Sequence, residues 1–263
     1  MSKSESQAQI LAEIATLVGR SHRTLPDDAV TGFMAMKGRL YNRELMVVGR
    51  AVNGWTRRSW TPEALASDEA VHEFVSVVQQ SVTAPESCPM QWVSKAWGSR
   101  ALNWPSNWAC VGNQEYNTRR SAFWRVIRNL VDELGLADIN NDSWPSHLVW
   151  SNLYKVSPAA GRNPPARMRS LQVDKCVSLL KLELEIYKPK RLLLLTGKDW
   201  AAPFLQQTVA NMNVVQGSRL VHADGTLTVG ADDTCAIVVA AHPERKPEAT
   251  WVREVLQSFQ SQV

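Results

Sequence analysis

The sequence contains little cysteine, and its spacing excludes the usual structural uses of that residue. The four cysteines are Cys88, Cys110, Cys176 and Cys235. None belongs to a C-x-x-C pair, which argues against a zinc knuckle and against a disulfide framework. Isolated cysteines of this kind usually behave as small buried apolar side chains. We therefore predict reduced, buried thiols and no metal ion.

Long apolar segments are also missing. The longest apolar runs, such as residues 191–196, have the length of a β-strand and fall far short of the roughly 20 residues that cross a membrane. Residues 1–7 do not contain the apolar segment that is typical of a secretory signal peptide. No predicted strand is followed by a G-x-G-x-x-G or P-loop sequence, which argues against an unrelated nucleotide-binding protein. We predict a cytoplasmic protein with no membrane partner and no cofactor.

Apolar residues, by contrast, are plentiful enough for a packed core. Of the 263 residues 44% are hydrophobic and 21% are charged, as is typical of globular proteins, and the length fits one sizeable domain. The net charge of +4 is compatible with a polyanionic partner but does not prove one.

Tryptophan occurs 11 times, with four copies between Trp92 and Trp108. Two interpretations of this abundance are open: the rings fill the core, or they form a wall around a bound ligand.

Short apolar strands alternate with helices along the chain. Strands are predicted at residues 45–48, 147–152, 192–195 and 235–241, helices at residues 6–18, 61–82, 121–135 and 168–187, and a hairpin at residues 218–227 around Asp224-Gly225. This alternation indicates a parallel sheet covered by helices. The predicted fold is α/β: a single three-layer α/β/α domain with a central, mostly parallel four-stranded sheet. An N-terminal helical extension covers residues 1–40, and a Trp-rich insertion covers about residues 56–112.

Five segments, in chain order, resemble motifs of the uracil-DNA glycosylase superfamily. They are residues 47–54 (VVGRAVNG), 116–124 (YNTRRSAFW), 151–158 (SNLYKVSP) with 161–164 behind it, 188–197 (KPKRLLLLTG) and 241–243 (AHP). The similarity is strongest to the iron–sulfur branch and covers about residues 45–55 and 115–260. Each segment alone is weak, whereas five in order are fairly specific. In folds of this kind the site lies in the loops at the carboxyl ends of the strands.

The resemblance implies roles for particular residues. His242 would donate a hydrogen bond to the departing base, and Asn53 would position the attacking water. The residues implied in base binding are Gly49, Arg50, Ala51, Val52, Tyr116 and Asn152. Those implied in binding the DNA backbone are Lys155, Arg162, Lys198, Arg245 and Lys246, and Arg119 and Arg120 are further candidates. The expected partner is DNA, either a duplex with a flipped base or a single strand, and the expected state is a monomer.

The candidate residues also have simpler interpretations. Asn152 could be a turn residue at a strand end, and Asn53 a left-handed turn residue before Gly54. His242 could be a capping or surface histidine. Tyr116 could be a core tyrosine, and the basic residues could form a solvated surface.

The chain departs from the superfamily's pattern at two places. Arg50 and Ala51 stand where the first motif usually carries a carboxylate or an asparagine that activates water, and Asn53 lies two positions away from the familiar asparagine. Of the four cysteines that hold the iron–sulfur cluster, only Cys176 falls on a matching place. We therefore predict no cluster and do not expect ordinary uracil excision.

The predicted function is that of a monofunctional DNA glycosylase, which leaves an abasic site. Because the Trp-rich insertion follows the first motif, it would lie beside the base pocket and could fit a larger base than uracil. Some anti-phage members of the superfamily remove glucosylated hydroxymethylcytosine, and this bulky modified cytosine is the predicted substrate. Two alternatives stay open: a uracil or mismatch repair glycosylase, and an inactive DNA-binding member. The missing carboxylate favours the inactive member, whereas Asn152, Lys155 and His242 favour activity.

Overall fold

The helices follow the apolar spacings of the sequence. The computed structural model describes residues 3–52, 54–56, 58–83, 89–97, 110–111, 114–115, 117–207, 210–229 and 233–262. These ranges contain the helices α1 (Lys3–Arg20), α2 (Asp68–Val82), α3 (Ala122–Glu133), α4 (Ala166–Tyr187), α5 (Lys198–Leu205) and α6 (Glu248–Gln260). In α3 the buried residues Trp124, Ile127 and Leu130 recur every three residues and form one face. The four helices predicted from spacing are confirmed, although α2 begins only after Ser67, whose hydroxyl accepts a hydrogen bond from the Ala70 amide.

The strands are short, and those at the centre are buried on both faces. They are β1 (Val30–Gly32), β2 (Met36–Lys37), β3 (Leu45–Gly49), β4 (Cys110–Val111), β5 (Gln114–Glu115), β6 (Leu148–Asn152), β7 (Val156–Pro158), β8 (Arg191–Leu194), β9 (Ala210–Val214), β10 (Val221–Val229) and β11 (Asp233–Ala240). Every residue of β3 and β6 is buried, as expected for strands between two layers of other structure.

The largest sheet has seven strands, in the order β2-β6-β3-β8-β11-β10-β9. The four predicted strands form its parallel centre, since β6, β3, β8 and β11 are parallel neighbours. The prediction of a four-stranded sheet is nevertheless wrong. Strand β2 adds an antiparallel edge on one side, and β10 and β9 add two antiparallel strands on the other. These extra strands lack the continuous apolar runs that mark a buried strand in a sequence.

The predicted turn at Asp224-Gly225 is also wrong. Both residues lie inside the uninterrupted strand β10, where Gly225 is opposite Ile237 of β11 and Met212 of β9. A Cβ atom on Gly225 would lie 1.9 Å from the carbonyl oxygen of Asn211. The glycine therefore permits close approach of a neighbouring strand. The chain reverses instead at residues 215–220, between β9 and β10.

The helices pack in two groups. Helix α1 lies against α2 and α4, whereas α3 lies against α6, which also contacts β10 and β11. Within the described ranges, no helix is both long enough and apolar enough to span a membrane.

The described tryptophans are mostly core residues. The Trp150 ring, on β6, lies 4.6 Å from Phe33, 5.2 Å from Trp55, 5.3 Å from Trp124 and 5.5 Å from Trp92 between ring centroids. The contacts with Trp55 and Trp124 are edge-to-face and the other two are tilted, and aromatic contacts of this kind stabilise a core beyond simple burial. In the insertion, Trp97 packs edge-to-face on Trp144 at 5.8 Å. Trp104 and Trp108 lie outside the described residues.

Candidate functional site

The loops that follow the four parallel strands meet at one edge of the sheet. Gly49, the last residue of β3, is paired in register with Asn152, the last residue of β6. The amides of Leu153 and Tyr154 donate to the carbonyls of Gly49 and Arg50, at 2.9 and 3.0 Å. On the other side of β3, the Gly197 amide donates to the carbonyl of Ala240 at 2.8 Å. The predicted meeting of the Gly49, Asn152, Thr196 and His242 loops is therefore confirmed.

Asn152 carries a buried amide that lacks a partner. The residue is only 1% exposed, and among the described residues no acceptor lies within hydrogen-bonding distance of its Nδ2 atom. A buried donor without a partner costs about 1–3 kcal/mol, so such a group in a native structure requires a reason. Recognition of an acceptor on a bound molecule would be one.

Gly49 and Phe123 border the same small region as Asn152. A Cβ atom on Gly49 would lie 2.5 Å from Asn152 Oδ1 and 3.4 Å from Phe123 Cε2. Only glycine therefore leaves the Asn152 amide where it is. Phe123 is half-buried, and its ring could stack on a planar ligand. Phe123 belongs to the 116–124 segment, but of that segment the sequence analysis named Tyr116, Arg119 and Arg120 as candidates and not Phe123.

Arg50 turns away from Asn152 and into a cleft on the other side of β3. Its Nε donates to the carbonyl oxygen of Thr196 at 2.8 Å, and its guanidinium lies 5.3 Å from the centroid of the Trp200 ring. Partial burial lowers the pKa of Arg50, while Glu244 and Asp199 act in the opposite direction. Arg50 thus remains charged and is held from two sides.

The cleft has a volume of about 420 Å³ and a mainly cationic lining. Its four positively charged side chains are those of Arg50, Lys198, Arg219 and Lys246, and its two carboxylates are those of Asp199 and Glu244. The lining also includes Trp200, His222 and His242. The formal charge is therefore +2 when both histidines are neutral. A concave surface with this charge attracts anions.

His242 lies between Arg50 and the last helix. Burial, followed by the charge of Arg50, lowers the pKa of His242, and Glu244 opposes this effect. The Glu244 amide approaches His242 Nδ1 at 3.4 Å, so the neutral ring carries its proton on Nε2 and can donate from there. The preceding residue is fixed, because Trp251 Nε1 donates to the carbonyl oxygen of Ala241 at 2.9 Å.

His222 and Arg219 were missed from the sequence. They belong to the extension of the sheet by β9 and β10, which replaces the predicted turn. The Lys198 amide donates to His222 Nδ1 at 3.1 Å, so this neutral ring too carries its proton on Nε2, and it also hydrogen-bonds with the backbone of Arg219. Burial, followed by Lys198, lowers the pKa of His222. Trp200 was likewise not predicted, since no local signal marks it.

Lys155 does not bind DNA in this fold, contrary to prediction. Its side chain is 0% exposed, and its Nζ donates to Glu183 Oε1 and Ser151 Oγ, both at 2.7 Å. The Ser151 hydroxyl in turn donates to Glu183 Oε2 at 2.7 Å. Gln172 Oε1 accepts from the Lys155 and Val156 amides. This buried polar cluster of Ser151, Lys155, Gln172 and Glu183 joins the segment behind Asn152 to helix α4.

The remaining predicted residues are distributed unevenly. Lys198 and Lys246 line the cleft. Arg245 is 92% exposed and does not line it, and Arg162 pairs with Asp28 at 3.0 Å. Ala51 is half-buried, Val52 is buried, and both belong to the loop after β3. Arg119 and Arg120 are exposed at the entry to α3. Asn53 and Tyr116 lie outside the described residues.

The described tryptophans of the insertion do not form a wall around the cleft. Trp92 and Trp97 pack against core rings, and neither is among the residues that line the cleft. For these two rings the core-filling interpretation is confirmed.

Two cysteines are buried thiols. Burial raises the pKa of both Cys176 and Cys235 to about 12, which makes them unreactive near neutral pH. In the ranges that the structure describes, no group of three or more histidine, cysteine or carboxylate side chains is placed to hold a metal ion.

No protein-family model matches the chain, and no curated protein matches it in sequence.

Proposed function

We propose that this protein is a monofunctional DNA glycosylase of the uracil-DNA glycosylase superfamily, which flips a modified pyrimidine out of DNA and hydrolyses its N-glycosidic bond. The supporting observation is the convergence of Asn152, Arg50 and His242 at one edge of a parallel sheet. The two helix groups and the parallel strands at the centre fit the three-layer arrangement of that superfamily. The proposed partner is DNA, and the four cationic side chains that line the cleft support this choice.

The residues divide the chemistry among them. The unpaired Asn152 amide reads the edge of the flipped base, next to the Phe123 ring. As the bond to the sugar breaks, negative charge develops on the base. The Nε2–H of neutral His242 and the guanidinium of Arg50 stabilise that charge, which is the step that such donors accelerate most. The first motif of the superfamily usually carries a water-activating residue at this point. In this protein Arg50 stands there instead and stabilises the leaving group.

The water that attacks the sugar carbon needs a separate partner. The two carboxylates of the cleft, Asp199 and Glu244, can orient it, as can the amide of Asn53. Replacement of Asp199 and Glu244 by their amides, Asp199→Asn and Glu244→Gln, tests this assignment in single-turnover excision assays. The variant whose rate falls identifies the carboxylate. Unchanged rates in both variants would exclude the two carboxylates, and Asn53→Ala in the same assay then tests Asn53.

The proposed substrate is a cytosine with a bulky substituent, such as glucosylated hydroxymethylcytosine, removed from viral DNA as a defence. A cleft of about 420 Å³ is within the range that holds drug-sized molecules, and it opens at the same edge of the sheet as the Asn152 loop, on the other side of β3. A single observation favours a second candidate, an inactive DNA-binding member: the carboxylate of the first motif is replaced by Arg50 and Ala51.

An abasic-site assay distinguishes these candidates. Purified protein is incubated with uracil-containing, unmodified, hydroxymethylated and glucosylated DNA, and alkali then reveals strand breaks. Breaks in glucosylated DNA alone are the expected result. Breaks in uracil DNA would assign the protein to repair. Absence of breaks in all four substrates, with DNA binding retained, would identify the inactive member.

Asn152→Ala tests the site itself. Because the Asn152 amide has no partner among the described residues, its removal should leave stability nearly unchanged, whereas excision should fall by about two orders of magnitude. The matched control is Asn129→Ala, at an exposed position of α3. Equal excision rates in the two variants would remove Asn152 from the mechanism.

A further inference from the structure

The outer part of the cleft is built by a segment that the superfamily motifs do not contain. Strands β9 and β10 extend the sheet beyond β11, and the turn between them supplies Arg219 while β10 supplies His222. The segment is held firmly. Ser218 Oγ donates to Glu254 Oε2 at 2.6 Å and accepts from the Leu220 and Val221 amides. The Ala241 amide donates to the carbonyl of Leu220 at 2.7 Å, so the backbone next to Arg219 is fixed, and Arg219 lines the same cleft as His242.

Across the cleft, His222 approaches the start of helix α5. The Lys198 amide occupies its Nδ1, which leaves the proton on Nε2, and the ring also hydrogen-bonds with the backbone of Arg219. His222 Cε1 and Arg50 Nη2 lie 3.9 and 3.6 Å from the position that a Cβ atom on Gly197 would take. Both rims of the cleft therefore converge on Gly197, whose φ of +78° places it in a conformation that favours glycine. The positive end of the α5 dipole points to the same region.

We propose that Lys198, Arg219, His222 and Lys246 form a phosphate subsite, which binds a phosphate group of the nucleic acid beside the flipped nucleotide. Three cationic side chains and a neutral N–H donor suit the several oxygens of a phosphate. Lys198 and Lys246 are exposed, so they attract the phosphate electrostatically. His222 is half-buried and held by the Lys198 amide, so it determines where the phosphate binds. This inference rests on DNA being the partner, as in the proposed function, but it does not require excision.

Binding of an unmodified oligonucleotide tests the subsite without any chemistry. A single-stranded oligonucleotide with a label at its 3′ end is titrated with the wild-type protein, Arg219→Gln, His222→Leu and His222→Gln, over a series of salt concentrations. Arg23→Gln and His72→Gln are the matched controls, since both parent residues are exposed and distant in sequence from the cleft. Melting curves verify that each variant is folded.

We expect Arg219→Gln to weaken binding about tenfold and to reduce the slope of log K against log salt by about 0.7 for a single strand, the value for one lost phosphate contact. His222→Leu should weaken binding as well. His222→Gln should retain more affinity, because its amide can still donate near the Nε2 position. Affinities and slopes of Arg219→Gln and His222→Leu equal to those of the controls would overturn the proposal.

The subsite could bind either an internal phosphodiester or a terminal phosphate, and oligonucleotides with and without a 5′-phosphate distinguish these two sources. The titration is repeated with an oligonucleotide that carries a 5′-phosphate and with inorganic phosphate as competitor, at constant ionic strength. Losses that are equal for both oligonucleotides assign the subsite to an internal phosphodiester. A loss confined to the 5′-phosphorylated strand, with competition by inorganic phosphate, assigns it to a terminal phosphate. Loss of binding in these variants together with no excision by the wild type would retain the subsite and reject the glycosylase.

Discussion

Two lysine-containing regions near the same edge of the sheet differ completely in their surroundings. Lys155 is fully buried, with its ammonium shared between a carboxylate and a hydroxyl. Lys198 is exposed and lines an open cleft with a second lysine and two arginines. The first arrangement satisfies a charge inside the protein, and the second leaves charge available for a partner. The residue type alone therefore does not indicate which lysine is available to a partner.

The buried cluster and the cleft also use polar groups in opposite ways. In the cluster, the Glu183 oxygens, the Ser151 hydroxyl and the Gln172 carbonyl all have partners. At the site, the Asn152 amide lacks one. We interpret the cluster as a scaffold that holds the Asn152 segment, because Ser151 precedes Asn152 and Lys155 follows it by three residues. Substitutions in the two regions should accordingly affect different measurements.

The largest effect is expected at the buried ion pair. Glu183→Gln leaves the Lys155 ammonium buried without its counterion, and breaking a pair of this kind costs about 3–5 kcal/mol. The free energy of unfolding in urea measures this loss. The matched control is Glu13→Gln, which breaks the partly exposed Lys175–Glu13 pair and should cost less than about 1 kcal/mol. Similar losses for both variants would contradict the scaffold role.

The second-largest effect is expected for a substitution in the cleft, and it should appear in the rate of excision. His242→Ala removes the proposed donor to the departing base and should slow excision about 10²–10³-fold, with little change in the free energy of unfolding. The control is His72→Ala, at an exposed position of α2. If His242→Ala lowers stability as much as Glu183→Gln does, His242 belongs to the scaffold rather than to the site.

A smaller effect should appear on acidification. Burial lowers the pKa of His222 and His242 in the folded protein, while in the unfolded chain both titrate near the ordinary value of about 6.5. Below about pH 6.5 the unfolded chain binds protons more readily than the folded protein does. The stability contributed by the two neutral histidines is therefore fully present above that pH and is lost as the pH falls below it. The melting temperature should fall between about pH 7 and 5, less steeply in His222→Gln than in His72→Gln. Equal slopes in the two variants would contradict this.

The smallest effect is expected at an exposed basic residue outside both regions. Arg162 pairs with Asp28 across solvent, and both side chains are largely exposed. Arg162→Gln should change the free energy of unfolding by less than about 1 kcal/mol. It should weaken oligonucleotide binding less than Arg219→Gln does. A stronger effect on binding at Arg162 would extend the DNA path beyond the cleft.

The confirmed predictions are those that depend on local pattern. Continuous apolar runs marked β3, β6, β8 and β11 because strands buried on both faces require them. The meeting of the strand-end loops followed from the geometry of parallel strands. The errors concern contacts between distant segments. Asp224-Gly225 has the composition of a turn, but its pairing with β9 keeps it extended, and Lys155 lies 28 residues before Glu183 in the chain.

The sequence by itself determined the parallel centre of the sheet, the main helices and the edge where the polar loops meet, because each of these follows from spacing within one segment. Only the tertiary structure decided which of these polar residues are available to a partner. It buried Lys155 against Glu183, left the Asn152 amide without a partner among the described residues, and placed Arg219 and His222 in the same cleft as His242. Burial and pairing depend on residues far apart in the chain, and no local pattern records them.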